Sequence, residues 1–231
     1  MATDEETDVA RVHSVFEVIG PVMIGPSSSH TAGAIRLGRL ARSVLGQTPV
    51  SARIALHGSF ASTGRGHGTD LALVAGLLGY APDDPRIRVA DAEARAVGLA
   101  VTFSESDLGE VHPNTARIEM TGSDGRTVAV QGSSVGGADV VLTGIDDFDV
   151  AITGELPVLV VEHHDQPGVI ASVSAILAEH GANIASMEVS RERRGARALM
   201  IIETDQPVDT RTLVAVADAE AVTSVRAVPA V

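Results

Sequence analysis

The residues of this chain whose types best suit chemistry lie in one short stretch, residues 25–33. Four hydroxyls and one imidazole follow one another there, on Ser27, Ser28, Ser29, His30 and Thr31. An apolar pattern of helical period over residues 31–45 comes directly afterwards. The first turn of a helix offers unpaired N–H groups and a positive dipole end, so the stretch can bind a carboxylate or phosphate. One hydroxyl would suffice as an N-cap, and a polar loop with a redundant cap is the simpler interpretation.

Two further polar stretches contain a histidine. Residues 57–70 alternate glycines around Arg65 and His67, and Thr69 or Asp70 is placed to cap a second helix that runs to Leu78. This pattern predicts a second glycine-rich loop that meets a helix N-terminus. Residues 111–115 form a third polar loop, which contains His112 and Asn114.

The composition excludes several kinds of chemistry. The formal net charge is −13 and the chain has no run of basic residues, which argues against nucleic-acid binding. Because the sequence contains no Lys, it cannot form a Schiff base with pyridoxal phosphate, and because it contains no Cys, it has no thiol nucleophile or thiolate ligand. The acidic start lacks the features of a signal peptide, and no apolar run is long enough to span a membrane, so a cytoplasmic protein is expected.

The order of predicted elements indicates an α+β protein in two parts. An apolar segment, residues 12–24, leads into the serine-rich stretch; helices and short strands then alternate up to residue 152, with a hairpin at Asp124-Gly125 and a further loop at residues 133–137. From residue 158 the order becomes βαββαβ, the ferredoxin-like plan. Arg36, Arg39 and Arg42 recur every three residues on the first helix and are expected to form a solvated face.

The second part resembles the ACT family of small amino-acid-binding modules. The matching residues are Asp165-Gln166-Pro167-Gly168 at the first helix and Gly181-Ala182-Asn183-Ile184 before the second strand. The resemblance implies a ligand site at Gly168, Val169, Asn183 and Ile184, and self-association through this domain. A helix start and a helix stop without any ligand is the alternative interpretation.

The first part resembles the β subunit of the iron–sulfur L-serine dehydratases. The resemblance rests on the segments 19–33, 57–61, 66–70 and 111–115, and extends over almost the whole chain. It implies a substrate-binding-type α+β domain over residues 10–153, followed by the ACT domain over residues 156–231. It also implies L-serine ammonia-lyase activity without pyridoxal phosphate, together with an α subunit whose cysteines hold a [4Fe-4S] cluster. Since this chain has no Cys, it fits a two-subunit enzyme and departs from a fused one.

The resemblance also implies roles for the polar residues. Loss of water from L-serine needs a base for the Cα proton and a Lewis acid for the hydroxyl, and the cluster would supply the Lewis acid. His67, flanked by glycines, is the favoured base, with His30 next and Asp70 as an orienting partner. The substrate carboxylate would be bound by hydroxyls and by the third loop, through Ser27, Ser28, Ser29, Thr31, His112 and Asn114.

Two other interpretations stay open at this point. The first part is also similar to a substrate-binding domain of some 3-phosphoglycerate dehydrogenases. In that case the chain would be a regulatory, amino-acid-sensing subunit with an effector site in the serine-rich stretch. The second interpretation is a zinc site of His30, His67 and His112. These residues lack the paired ligand spacing by which such sites are recognised in a sequence.

Overall fold

The computed structural model describes residues 22–231, apart from the side chain of Arg65. Most of the predicted apolar segment 12–24 lies outside these residues, as does the predicted start of the first domain at residue 10. No helix of the described part is long and apolar enough to cross a membrane. The predicted α+β class is confirmed, because helices and strands both contribute throughout.

Six strands among the described residues form the first sheet, in the order β2–β1–β3–β4–β5–β6. These strands are β1 Ser51–Leu56, β2 Ala100–Glu105, β3 Thr115–Thr121, β4 Thr127–Gly136, β5 Asp139–Ile145 and β6 Phe148–Ile152. β1 and β2 are parallel, and the other neighbours are antiparallel. Side chains alternate across a strand, so Ala52, Ile54 and Leu56 of β1 are buried while Arg53 points to the open face.

The helices of this part cover the other face of the sheet. They are α1 Ala34–Leu45, α2 Gly58–His67, α3 Thr69–Leu78 and α4 Ala90–Ala96, with a π-helical turn Ser28–Gly33 before α1 and a 3₁₀ turn Pro85–Val89 before α4. α1 lies on β4 and β5, and α3 packs against α1. The two helices approach closely because Gly38 and Gly76 meet at their crossing, where the backbones are in contact.

We expect Gly76→Ala to destabilise the protein. An added Cβ would lie against the carbonyl of Ile35 and 2.8 Å from Cα of Gly38, and both are backbone atoms that cannot turn aside. Overpacking of this kind costs about 1–3 kcal/mol, which urea denaturation measures. The matched control is Gly66→Ala in α2, where an added Cβ meets nothing within 4 Å. That variant should gain up to about 1 kcal/mol from helix propensity, and equal losses in both variants would contradict the packing argument.

The second sheet has the predicted βαββαβ order and is entirely antiparallel, with strand order β10–β7–β9–β8. Its elements are β7 Val158–His164, α5 Val169–Glu179, β8 Ile184–Arg191, β9 Arg197–Thr204, α6 Thr210–Ala217 and β10 Val222–Val228. Leu159 and Met200 face α5 and α6, whereas Val160 and Ile201 join the core of the first part. β7 and β9 are therefore buried on both faces, which explains the uninterrupted apolar runs over residues 158–161 and 198–202.

Arg36 and Arg226 are two of the arginines that connect the two parts. Arg36 of α1 donates to the carbonyl oxygens of Ala138 at 2.9 Å and Val231 at 2.8 Å. Arg226 of β10 donates to the carbonyl oxygen of Val44 at 3.1 Å and to Oε1 of Glu162 at 2.7 Å. The prediction of a solvated arginine face is wrong for Arg36, whose side chain is only 17% exposed. Its three-residue spacing gave no indication of the carbonyls that surround it.

Two predicted loops are regular structure. Most of the predicted glycine-rich loop 57–70 is helix α2, which ends at Gly68 in the left-handed conformation with φ 70°. The glycines lower helix propensity, but Phe60 is fully buried and its packing outweighs that cost. Similarly, most of the predicted loop 133–137 belongs to β4, because Ser133 and Ser134 pair with Val141 and Val140 of β5.

Candidate active site

His30 lies on the π-helical turn and faces helix α2. The Oγ of Ser27 accepts a hydrogen bond from the backbone N–H of His30 at 3.1 Å and so caps the turn. The Nε2 atom of His30 lies 3.1 Å from Oγ of Ser59 and 3.1 Å from Oγ1 of Thr63. Its ring also packs edge-on against Phe60, with centroids 5.4 Å apart. These contacts fix the imidazole against one face of α2.

His67, at the end of α2, lies beside His30. The two ring centroids are 5.0 Å apart. The Nδ1 atom of His67 lies 3.0 Å from the carbonyl oxygen of Thr63, one helical turn earlier. The hydroxyl of Thr31 donates to the carbonyl oxygen of His67 at 3.3 Å and so ties the π-helical turn to the end of α2. The structure thus brings together the two histidines that the sequence marked as candidate bases.

The environment lowers the pKa of His30. Partial burial has the largest effect, and the neighbouring His67 adds to it, whereas the carbonyl of Ser59 acts in the opposite direction. Because the rings are adjacent, a proton on one disfavours a proton on the other. His30 is therefore held neutral at neutral pH, as a proton acceptor or hydrogen-bonding group requires.

We expect this lowered pKa to make the folded chain less stable as the pH falls. Below the ordinary histidine pKa of 6.5, the unfolded chain binds a proton that folded His30 does not bind. Stability should therefore decrease from pH 7.5 to pH 5.5, and His30→Gln should reduce that decrease. His164→Gln, at an exposed position, is the control. Urea denaturation at both pH values measures the effect, and identical pH dependence in the two variants would contradict it.

The third predicted loop is held against the start of α2. The carbonyl oxygen of Pro113 accepts from the backbone N–H of Ser59 at 2.8 Å, which places residues 112–114 beside the histidine pair. The Nδ1 of the exposed His112 accepts from the N–H of Asn114 at 3.1 Å. The side-chain amide of Asn114 donates to the carbonyl of Ser134 at 3.4 Å. This loop therefore joins the site through its backbone, with the ring of His112 at the surface.

The predicted carboxylate-binding hydroxyls differ in their surroundings. The hydroxyls of Ser27 and Thr31 take part in the contacts described above, and Thr31 is 3% exposed. Ser28 and Ser29 are half-buried at the start of the π-helical turn. Asp70 accepts from the N–H of Leu71 at 2.9 Å, so among the described contacts the ring of His67 is oriented by Thr63 rather than by Asp70.

Sequence reasoning missed Ser59 and Thr63. Together with His67 they lie at positions i, i+4 and i+8 of α2 and hence on one helix face. That spacing is visible in the sequence, but the glycines favoured a loop, in which the spacing has no meaning. The signal was present and the wrong secondary structure concealed it.

The predicted ligand residues of the ACT part occupy two loop-to-element junctions. Gly168 caps α5 with φ 95°, a conformation that favours glycine, and Val169 is buried in the core beneath it. The Nδ2 of Asn183 donates to Oδ2 of Asp205 at 2.8 Å, and Ile184 begins β8. The ligand role of these four residues stays a prediction.

Neither of two cavities formed by the described residues is lined by His30 or His67. A groove of about 610 Å³ crosses the open face of the first sheet and is lined in part by Arg53, Thr102 and Glu119. A smaller one of about 160 Å³ includes Phe60, Gly64 and Asp70 beside α2. The hydrogen-bonded histidines define the candidate site, because a binding site completed by a second chain need not be a closed cavity in one chain.

No group of three or more His, Cys, Asp or Glu residues within residues 22–231 is arranged to hold a metal ion. The sequence contains no cysteine at all. The donor set of this chain therefore does not fit an iron–sulfur cluster, whose irons are held by thiolates.

Comparison with known proteins gives consistent matches to both parts. The family model described as "Serine dehydratase beta chain" matches residues 14–100, and the ACT domain model matches residues 157–220. The chain is 44% identical to the "Probable L-serine dehydratase, beta chain" of Bacillus subtilis, over 88% of this chain and 92% of that protein. It is 39% identical to the "L-serine dehydratase, beta chain" of Peptoniphilus asaccharolyticus, over 85% and 89%. A D-3-phosphoglycerate dehydrogenase of Methanocaldococcus jannaschii is 28% identical, over 53% of this chain and 23% of that protein.

Proposed function

We propose a catalytic role for this chain, which belongs to the family of L-serine dehydratase β chains. In this proposal the chain acts together with a cluster-bearing α subunit. The two subunits convert L-serine to pyruvate and ammonia in the cytoplasm. The observation that carries the proposal is the adjacent pair His30 and His67, whose ring centroids are 5.0 Å apart. Two oriented imidazoles beside a set of hydroxyls can bind an amino acid and accept a proton.

The reaction that this site would serve is the loss of water from L-serine. His67 would take the Cα proton while the β-hydroxyl leaves, and that proton and hydroxide together make up the water that is lost. The resulting aminoacrylate takes up water and releases ammonia to give pyruvate. A [4Fe-4S] cluster on the partner, held by that subunit's own cysteines, would supply Lewis-acid assistance to the leaving hydroxyl. No residue of this chain is assigned to the cluster.

The roles proposed for this chain are to bind the substrate and accept its proton. Ser28 and Ser29 are half-buried beside the N–H groups at the start of the π-helical turn, where a carboxylate is favoured. The carbonyl of Thr63 occupies Nδ1 of His67, so Nε2 is the atom available to accept a proton. Burial and the neighbouring His67 lower the pKa of His30 and hold it neutral. When His67 accepts a proton, the pair therefore carries one positive charge and not two.

The ACT part is proposed to assemble copies of the enzyme and to bind an amino acid at Gly168, Val169, Asn183 and Ile184. Strand β8 lies at the edge of its sheet and exposes residues on both faces, which supports pairing with another chain.

The test is anaerobic reconstitution of the full chain with its candidate α subunit, with pyruvate formation from L-serine as the readout. Pyruvate should form only when both chains and the cluster are present. If the complete pair makes no pyruvate while this chain alone binds L-serine in calorimetry, the chain is an amino-acid sensor. The similarity to a D-3-phosphoglycerate dehydrogenase is the observation that favours this second candidate function, an amino-acid sensor.

A further inference from the structure

Thr63 is the one residue of helix α2 that the contacts described above join to both histidines. Its backbone carbonyl lies 3.0 Å from Nδ1 of His67, and its hydroxyl oxygen lies 3.1 Å from Nε2 of His30. None of the roles assigned so far involves its hydroxyl. Its two contacts bear on which nitrogen of each ring carries the proton.

The carbonyl contact fixes the proton of neutral His67. A carbonyl oxygen only accepts hydrogen bonds, so the Nδ1 atom of His67 must be the donor at 3.0 Å. Neutral imidazole carries one N–H, and Nε2 of His67 therefore has the free lone pair. The contact determines which atom of His67 can accept a proton as well as where the ring lies.

The hydroxyl contact fixes the proton of His30 in the opposite way. The Thr63 hydroxyl donates its single hydrogen to the carbonyl oxygen of Ser59 at 2.9 Å, a bond from a helical Thr to the preceding turn. Its oxygen is then an acceptor toward Nε2 of His30 at 3.1 Å. The N–H of neutral His30 is thus on Nε2, and Nδ1 has the lone pair.

The hydroxyl of Ser59 is consistent with this pattern. Its oxygen is 3.1 Å from Nε2 of His30 and 3.3 Å from Oγ1 of Thr63. It can share the N–H of His30 as a second acceptor while donating its own hydrogen to the remaining lone pair of Thr63. The two hydroxyl hydrogens then have one acceptor each, the N–H of His30 has two, and no two hydrogens face each other.

We propose that Thr63 is a positioning residue that holds the two histidines in opposite tautomers, with the proton on Nδ1 of His67 and on Nε2 of His30. Its carbonyl acts on His67 and its hydroxyl on His30. The tautomers would affect the reaction rate by keeping His67 correctly oriented as the base beside a neutral His30. Only this kinetic consequence rests on the proposed function. The tautomers themselves are a property of this chain alone.

The first test is ¹⁵N NMR of the full chain labelled at histidine, because couplings from the ring nitrogens to the carbon-bound protons distinguish the tautomers. His30→Gln and His67→Gln assign the two rings. Wild type should show opposite tautomers, and Thr63→Ser should preserve them. Thr63→Val removes only the hydroxyl, so His30 should become a mixture of tautomers while His67 is unchanged.

Two results would overturn the proposal. One is a wild-type His67 with its proton on Nε2. The other is an unchanged His30 tautomer in Thr63→Val, in particular if Ser59→Ala changes it instead. A circular dichroism spectrum equal to that of wild type establishes that Thr63→Val is folded before either result is read.

The second test uses the reconstituted two-chain enzyme. Thr63→Val should lower kcat about tenfold, as expected for the loss of one hydrogen bond to His30, the neighbour of the base His67. KM should stay nearly unchanged. Thr63→Ser, which keeps the hydroxyl, should have a kcat near that of wild type. Equal kcat in wild type and Thr63→Val would contradict the positioning role. If the wild-type pair makes no pyruvate, the proposed function fails, and the NMR measurement still decides the tautomers.

Discussion

His67→Ala is expected to lower kcat for pyruvate formation by the reconstituted pair at least about 100-fold, the usual contribution of a general base. The Nε2 atom of His67 accepts the Cα proton in our account, and the variant retains no other imidazole at that place, since His30 is turned toward Ser59 and Thr63. KM should change much less, because the carboxylate is assigned to Ser28 and Ser29. Steady-state rates with L-serine under anaerobic conditions measure both constants.

His180→Ala is a closely matched control. His180 directly follows helix α5, whereas His67 is the last residue of α2; the Nδ1 of His180 lies 2.8 Å from the carbonyl oxygen of Ile176, again four residues earlier. The substitution therefore removes the same local contact in the ACT part, and kcat should stay near the wild-type value. Equal rates for His67→Ala and the wild-type pair would remove His67 from the reaction.

Arg226→Met is expected to cost about 3 kcal/mol or more of unfolding free energy, the size reported for breaking one half of a buried ion pair. The Arg226 side chain is 6% exposed and that of Glu162 is 20% exposed, with 2.7 Å between Nη2 and Oε1. Removing the guanidinium leaves a partly buried carboxylate without its partner. It also removes the donor to Val44, whose carbonyl lies in the last turn of α1 and lacks a partner within the helix.

Two further variants separate the ion pair from the loss of an arginine. Arg53→Met breaks the pair with Glu119, but those side chains are 79% and 40% exposed, so the loss should stay below about 1 kcal/mol. The double variant Arg226→Met/Glu162→Leu removes both buried charges and should regain most of the stability lost in Arg226→Met. Thermal or urea unfolding of the full chain measures all three, and similar losses for Arg226→Met and Arg53→Met would contradict the account.

The ACT part could be predicted closely from sequence because its elements have clear ends. The predicted strands over residues 197–204 and 222–228 have the bounds that the structure gives. In β9, five consecutive residues, 198–202, are buried, and such an apolar run bounded by polar residues predicts a central strand. Gly168 and Gly181 mark the start and the end of helix α5, both at positive φ.

The candidate site could be predicted only in part. His30 and His67 were identified from residue type together with the family resemblance, but their proximity depends on how α2 packs against the π-helical turn, which no local pattern specifies. Glycines at 64, 66 and 68 favoured a loop by intrinsic propensity, whereas burial of Phe60 favours the helix. The partners of Arg36 and Arg226 include backbone carbonyls, which have no signature in a sequence.

The most direct test of the central claim is chemical rescue of the His67→Gly pair by imidazole. Removing the side chain of His67 leaves a space the size of the lost imidazole beside His30, whose ring centroid lies 5.0 Å from that of His67. Our account predicts that pyruvate formation rises with imidazole concentration and with the fraction of imidazole that is unprotonated. A folded His67→Gly pair whose rate does not depend on imidazole or on its protonation would contradict the assignment of His67 as the base.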